Sequence, residues 1–199
     1  MTARVPCGAN NVILSNHHGS LQHHSTTTVL ASINHHLNTH YHNNNTTALI
    51  QTDLSAAFDT VDHSTLLTKL EHYGLRGKEY NLIQSFLSNR QQYVFIDGME
   101  SEVIPSGNSS VCQGSKLSSL LYILYTNEIP LLDRLMNTDL YKRLTDKDIT
   151  IDKTKIDHYT IQYVDDSTTM ITTNDNNDIK TYIDNYFTIL ENYHSINKH

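Results

Sequence analysis

Ile161-Gln162-Tyr163-Val164-Asp165-Asp166-Ser167-Thr168-Thr169-Met170-Ile171 is two short β-prone runs folded about a pair of adjacent aspartates. Strand, acidic turn, strand is a poor way to build a core, because neighbouring carboxylates repel and resist burial. It is a good way to hold a divalent cation: hard ions such as Mg²⁺ take oxygen ligands and bind through one or two carboxylates plus substrate phosphates. A second acidic strand end lies upstream, Ala48-Leu49-Ile50-Gln51-Thr52-Asp53. If these strands are neighbours in one sheet, Asp53 and Asp165 face one another at its edge. That convergence is strongly unfavourable unless a dication neutralises it. Two ions a few Å apart would then serve phosphoryl transfer, one activating the attacking hydroxyl and the other stabilising the leaving pyrophosphate. Taken singly, Asp165-Asp166 reads as a solvated turn and Asp53 as an ordinary helix cap.

A chain of 199 residues buries one ordinary core, so one domain, or a domain plus a lobe, is expected. With 38% apolar and only 18% charged residues, much of the surface must be neutral and polar, supplied by Asn, Thr, Ser and His. No apolar run approaches the length of a membrane span, and Met1–Asn10 lacks a signal-peptide pattern. Cys7 and Cys112 belong to no motif, which suits a reduced, intracellular setting. The net charge of −7 is opposite to the basic excess of a stand-alone nucleic-acid binder. Either no nucleic acid is handled, or the basic parts lie outside these residues.

Residues 1–47 carry the weakest pattern. Val29, Leu30, Ile33 and Leu37 fall at helical spacing, with Ser25 or Thr26 as cap. His36 and His40, at i and i+4, could ligate zinc, but no Cys, Asp or Glu accompanies them in sequence, so a solvated helix face is expected. Thr47–Asp53 reads as a buried strand. Leu66, Leu67, Leu70 and Tyr73 mark a helix capped by Asp62 or Ser64, with Gly74 at its end. Asn81–Leu87 is a second helix with Leu82, Ile83, Phe86 and Leu87 on one side. Gln91–Asp97 and Glu100–Ile104 form a hairpin about Asp97-Gly98. Leu117–Tyr125 is a strongly apolar helix, terminated by Pro130 and the residues just after it. Asn137–Asp157 is charged and aperiodic, an inserted excursion with a short helix over Thr138–Leu144. Tyr159–Val164 and Ser167–Thr172 form the acidic hairpin. Asp178–Tyr193 closes as an amphipathic helix with Ile179, Ile183, Tyr186, Phe187 and Leu190 inward. No regular βαβ cadence appears, so the class is α+β.

Taken together and in this order, the segments resemble reverse transcriptases of the non-long-terminal-repeat (LINE-like) retrotransposon type. Asp53-Leu54-Ser55-Ala56-Ala57-Phe58-Asp59-Thr60-Val61-Asp62-His63 is similar to that family's first catalytic motif. Gln113-Gly114-Ser115, followed by Leu117 and Leu120-Leu121, resembles the motif leading into its palm helix, and Tyr163-Val164-Asp165-Asp166 the third motif. Phe86-Leu87-Ser88-Asn89-Arg90-Gln91-Gln92-Tyr93-Val94 resembles the helix-to-hairpin passage between them. The resemblance implies a palm, a small antiparallel sheet backed by helices, with a partial fingers region over 1–47, further fingers elements over about 75–112, an insertion at about 137–157, and the thumb absent from these residues.

It also implies RNA-directed DNA polymerisation, with Asp53 and Asp165 ligating two Mg²⁺ ions (Mn²⁺ as substitute) and Asp166 more peripheral. The carbonyl of Leu54 would complete one metal site. The amides of Ser55, Ala56, Ala57 and Phe58, at the turn into a helix, would cradle the triphosphate. The Phe58 ring would clash with a ribose 2′-hydroxyl and select deoxynucleotides. Gln113 and Gly114 would line the nucleotide pocket, Gly because a base pair must pass close to the backbone. The implied partners are an RNA template, a DNA primer, dNTPs and further domains of a polyprotein (thumb, endonuclease), with no membrane. Two other readings stay open: a catalytically silent retroelement remnant acting as a binding protein, and a metal-dependent nuclease built on the same carboxylates.

Overall fold

The computed structural model describes residues 12–132 and 156–197, apart from the side chains of 176–178. The predicted Thr138–Leu144 helix and most of the 137–157 excursion lie outside the described residues. Helix α1 (Thr26–Tyr41) leads into strand β1 (Thr46–Thr52), then helices α2 (His63–His72) and α3 (Gly77–Leu87). Four two-residue strands come next: β2 (Gln91–Gln92), β3 (Phe95–Ile96), β4 (Met99–Glu100) and β5 (Ile104–Pro105). Helix α4 (Lys116–Tyr125), strands β6 (Ile156–Tyr163) and β7 (Asp166–Thr173), and helix α5 (Asn176–Ile196) complete the chain. Among the described residues, no helix is long and apolar enough to cross a membrane.

The main sheet is antiparallel, in the order β1-β7-β6. β7 is central and largely buried, as a strand covered on both faces should be. The register pairs Gln51 and Ile161 with Thr168, and Thr47 and Asp157 with Thr172. Alternation therefore sends Thr47, Asp157, Tyr159, Ile161, Thr168 and Thr172 to one face, where α1 lies. The other face carries Thr160, Thr169 and Ile171 against α5, where Tyr182, Tyr186, Ile189 and Leu190 are buried. A second core cluster joins α2, α3 and α4 through Leu66, Leu70, Leu87, Leu121 and Tyr122. The ammonium of Lys69 ties the two cores, donating to Tyr125 O (2.6 Å), Glu128 Oε2 (2.9 Å) and the Tyr193 hydroxyl (3.2 Å).

Local chemistry explains the element ends. Ser25 closes a capping box with Thr28 at the start of α1, and Asp62 accepts from Thr65 N at 2.7 Å to start α2. Asp97 and Gly98 both take left-handed φ (50° and 81°), the two-residue turn that suits a twisted hairpin. The hairpin forms as two short ladders, β3 with β4 and β2 with β5.

Several sequence expectations are corrected. α4 ends at Tyr125 as expected, but Pro130 does not end it: Pro130 lies in a separate 3-10 turn, Ile129–Leu131, and between the two Asn127 binds the N-terminal segment, donating to Val12 O (2.7 Å) and accepting from Leu14 N (3.1 Å). β6 begins at Ile156, so the last two residues of the expected 137–157 excursion are strand. Leu82 is 69% exposed and Phe187 38%, each one helical step off the buried stripe of its helix. α1 has no fully buried residue, and Leu30 points largely to solvent. His36 and His40 do not sit on a solvated face: both are half-buried against β6, where Asp157 meets them.

Candidate active site at the sheet rim

Tyr163 pairs with Asp166, leaving Val164 and Asp165 as the two residues of the β6–β7 turn. Val164 takes a left-handed φ of 60°, at the turn position where Gly is the unstrained choice. A β-branched residue there is an outlier, and such strain persists only when its surroundings over-determine it. Gly19 supplies that determination. Its α-carbon is pressed onto the turn so closely that an added Cβ would lie 2.6 Å from Val164 N and 3.1 Å from Tyr163 C. The segment carrying Gly19 is held by backbone bonds to β6: Gln162 N donates to Asn16 O (2.9 Å) and His18 N to Gln162 O (2.8 Å). Asn16 Nδ2 adds a bond to Thr160 O at 2.7 Å. His17, between these bonds, is fully buried, and burial pushes its imidazole down to about 4, with the neighbouring Asn127 backbone, Glu128 and His18 adjusting that value.

β1 delivers the third carboxylate. Thr52 pairs with Ser167, so Asp53 and Asp166 are the next residues out on adjacent strands. Both line a cleft of about 440 Å³ whose walls include Thr26, Val29, Leu30 and Ile33 of α1. Burial first, then the charges of Asp165 and Asp53, raise the Asp166 carboxyl above its ordinary value. Beneath lies Tyr122 of α4, 2% exposed, whose phenol is pushed up by burial and then by Asp165, Tyr125 and Asp53. Asp165 and Asp53 thus act electrostatically both on Asp166 and on one buried phenol. Among the described residues, no Lys or Arg forms an ion pair with any of them. A donor set of carboxylate oxygens, with no Lys or Arg paired to it among the described residues, fits a hard divalent ion.

The loop after Asp53 differs from the expected turn into a helix. Ser55–Thr60 is a run of turns with Ala56 at φ 56°, and α2 begins only at His63. Asp59 N and Thr60 N donate to Ala56 O (2.8 and 3.2 Å). The amides of Ser55 to Phe58 make no backbone hydrogen bond to another described residue. Leu54 and Phe58 pack on the α2–α4 core, and the Phe58 ring stacks on Tyr122 at 5.0 Å between centroids. Val111 N donates to Phe58 O (2.9 Å) and Ser110 N to Val61 O (3.0 Å), which brings the Gln113-Gly114 turn in beside the Asp53 loop. Gly114 has a φ of 88°, which favours glycine, and open space where a side chain would be.

Sequence reasoning missed Gly19 and His17, which brace the turn, and His63, whose Nε2 meets Ser110 O at 2.7 Å and fixes the second loop to the first. His63 stood inside a quoted motif; Gly19 and His17 lay in the segment with the weakest pattern.

Comparison with known proteins agrees with this geometry at the level of fold. A search of curated proteins finds no significant match. Among solved structures, the chain is similar to an apo telomerase from Candida tropicalis truncated from its C-terminal domain. The identity is 17% and the TM-score 0.51, covering 81% of this chain and 31% of that one. A telomerase from Candida albicans in complex with a fragment of telomeric RNA matches at 13% identity and a TM-score of 0.41, over 81% of this chain and 28% of that one. The chain therefore spans about a third of the solved relatives it resembles, and shares with the first a reverse-transcriptase-like fold of helices and small antiparallel sheets. The family model described as reverse transcriptase (RNA-dependent DNA polymerase) matches residues 6–198, and to that family this chain belongs.

Proposed function

We propose that these residues are the palm and part of the fingers of an RNA-directed DNA polymerase of LINE-like type, working with two divalent metal ions. The observation that carries the reading is the convergence of Asp53, Asp165 and Asp166 at one sheet rim, unpaired with any basic side chain among the described residues. Asp53 and Asp165 would hold Mg²⁺ (or Mn²⁺), with Leu54 O and Asp166 completing the set. Bound there, the ions supply charge neutralisation for the attacking and leaving oxygens of an in-line displacement.

The protein's own contribution is positioning and polarity. The unspent amides of Ser55 to Phe58 offer donors to a triphosphate. Phe58, fixed from below by Tyr122, presents a rigid ring to the sugar, a steric barrier to a 2′-hydroxyl. Gln113 and Gly114, exposed beside this loop, would flank the incoming base. Gly19 keeps the Val164-Asp165 turn from drifting, and small displacements of reacting groups are costly in rate. The substrates in this reading are dNTPs, a primer 3′-hydroxyl and an RNA template, with further domains of the same polypeptide gripping the duplex.

The test is primer extension on poly(rA)/oligo(dT) with Mg²⁺, using both this chain and the longer reading frame containing it. Product that disappears in Asp165→Asn is expected; absence of product with either protein would remove the proposal. A catalytically silent remnant is favoured by one observation, the net charge of −7. That reading predicts no extension and no change on Asp165→Asn.

A further inference from the structure

A second cluster of ligand-type side chains lies on the same sheet face, at the opposite end of β6. His36 and His40 lie one turn apart on α1, and Asp157 is the second residue of β6. One potential ligand atom from each lies within 4.8 Å of the others. Asp157 and Tyr163 lie six strand steps apart, roughly 20 Å at strand rise, so this cluster is independent of the Asp53–Asp165 rim.

The three side chains are not arranged as a simple ion pair. His40 Nε2 meets Asp157 Oδ2 at 2.8 Å, and its other nitrogen, Nδ1, meets Asn45 Nδ2 at 3.3 Å. His36 takes no part in that pair, yet its ring is held beside it. The ring stacks on Tyr159 (5.4 Å, 16° between planes), lies 4.4 Å from the His40 ring, and places Nε2 3.4 Å from Thr172 Oγ1. Thr172 Oγ1 is itself bonded to Thr47 Oγ1 at 2.8 Å. Two imidazoles and a carboxylate, each oriented by a neighbour, opening onto a cavity of about 510 Å³ between Ser32, His35, Thr39 and Tyr159, have the composition of a three-ligand metal centre with room for water.

We propose that His36, His40 and Asp157 bind one zinc ion, which clamps α1 to the edge strand of the palm. Imidazole ligands favour zinc and its borderline neighbours over Mg²⁺ or Ca²⁺. Zinc–nitrogen and zinc–oxygen bonds near 2.0–2.1 Å set tetrahedral ligand atoms about 3.3 Å apart, reached from the present spacing by small side-chain rotations. The ion takes His40 Nε2, and rotation of the Asn45 amide then turns its oxygen toward the Nδ1 proton. A clamp has a purpose here: α1 buries no residue fully, so apolar packing alone holds it weakly to the sheet.

The test is a titration of the full metal-free chain with Zn²⁺ against a chromophoric chelator, with Co²⁺ as the spectroscopic probe. One equivalent binding in the micromolar range or tighter is expected, with visible d–d absorption from the cobalt form and no competition from millimolar Mg²⁺. Asp157→Asn and His36→Gln, which keep side-chain size, should each weaken binding at least tenfold, and His40→Ala should abolish the cobalt spectrum. Asp165→Asn should leave it intact, which separates this site from the polymerase reading. Zinc should also slow amide exchange along α1 in the wild type but not in Asp157→Asn. Equal zinc affinity in the wild type, Asp157→Asn and His36→Gln would overturn the proposal, leaving scattered surface histidines as the binders. Absence of binding below millimolar zinc would overturn it equally.

Discussion

Replacing Gly19 by alanine tests how the Asp165 turn is held. Gly19 does not have a left-handed φ, so alanine meets no backbone objection there. In open space the change would stabilise the fold by about 0.4–1 kcal/mol through the unfolded chain. The surroundings reverse the sign. The new Cβ would collide with Val164 Cγ2 and sit 2.6 Å from Val164 N, where ordinary contact begins at 3.4 Å. The side chain can rotate away, but the backbone nitrogen can retreat only by moving the turn, roughly 0.8 Å. Overpacking of this kind costs about 1–3 kcal/mol. Urea unfolding of Gly19→Ala should therefore show a lower midpoint at unchanged slope, a loss of about 2 kcal/mol. Adding Val164→Ala should recover only part of it, because the collision with the backbone nitrogen remains. A turn displaced by most of an ångström should also lower primer extension by about 100-fold. Gly19→Ala as stable as the parent, or a Val164→Ala background that rescues it fully, would refute the account of the turn.

Three other sites give equally definite outcomes. Because His17 is held down near 4 against 6.5 unfolded, its neutral form costs nothing above pH 6.5 and destabilises progressively as pH falls toward 4. At pH 5 that loss is about 2 kcal/mol relative to pH 7, and His17→Leu should flatten the pH profile of the urea midpoint by that amount. Tyr186→Phe removes one bond from the buried Thr160–Thr169–Tyr186 hydroxyl chain (2.9 Å at each link) and should cost about 1 kcal/mol. Thr169→Val breaks both links and should cost more than Tyr186→Phe in the same thermal or urea melt. Phe58→Ala should raise ribonucleotide incorporation relative to deoxynucleotide at least tenfold, about 1.4 kcal/mol of discrimination. An unchanged ratio would make Phe58 only a packing partner of Tyr122.

What the sequence made legible was local. The acidic hairpin, the strand before Asp53, the Asp62 cap and the Asp97-Gly98 turn are each written in a few neighbouring residues, and all are present, although that strand has no fully buried residue where a buried one is expected. Helix faces were read less well where apolar residues sit on adjacent positions. Leu82 beside Ile83, and Phe187 beside Tyr186, differ by one helical step of about 100°, and only the packing partner decides which goes inward. Long-range placement was legible in one case alone. Nothing near Gly19 announces Val164, and nothing near His36 announces Asp157, because those neighbours are set by strand pairing across more than a hundred residues. The three carboxylates form the exception, since their charge makes convergence chemically conspicuous in a way that a glycine or a histidine does not.

The order β1-β7-β6 also has a consequence for synthesis. Among the described residues β1 lies at one edge of the sheet and pairs with β7 alone, which leaves the ribosome roughly 115 residues later. At about 5–20 residues per second, that is roughly 6 to 23 seconds in which the strand waits with its hydrogen-bonding edge exposed. During that interval Asp53 has no carboxylate neighbour from the hairpin, so the rim can gain affinity for divalent ions only once β6 and β7 have been made. A nascent chain stalled before β7 should accordingly be the species that chaperones capture, and it should be blind to magnesium.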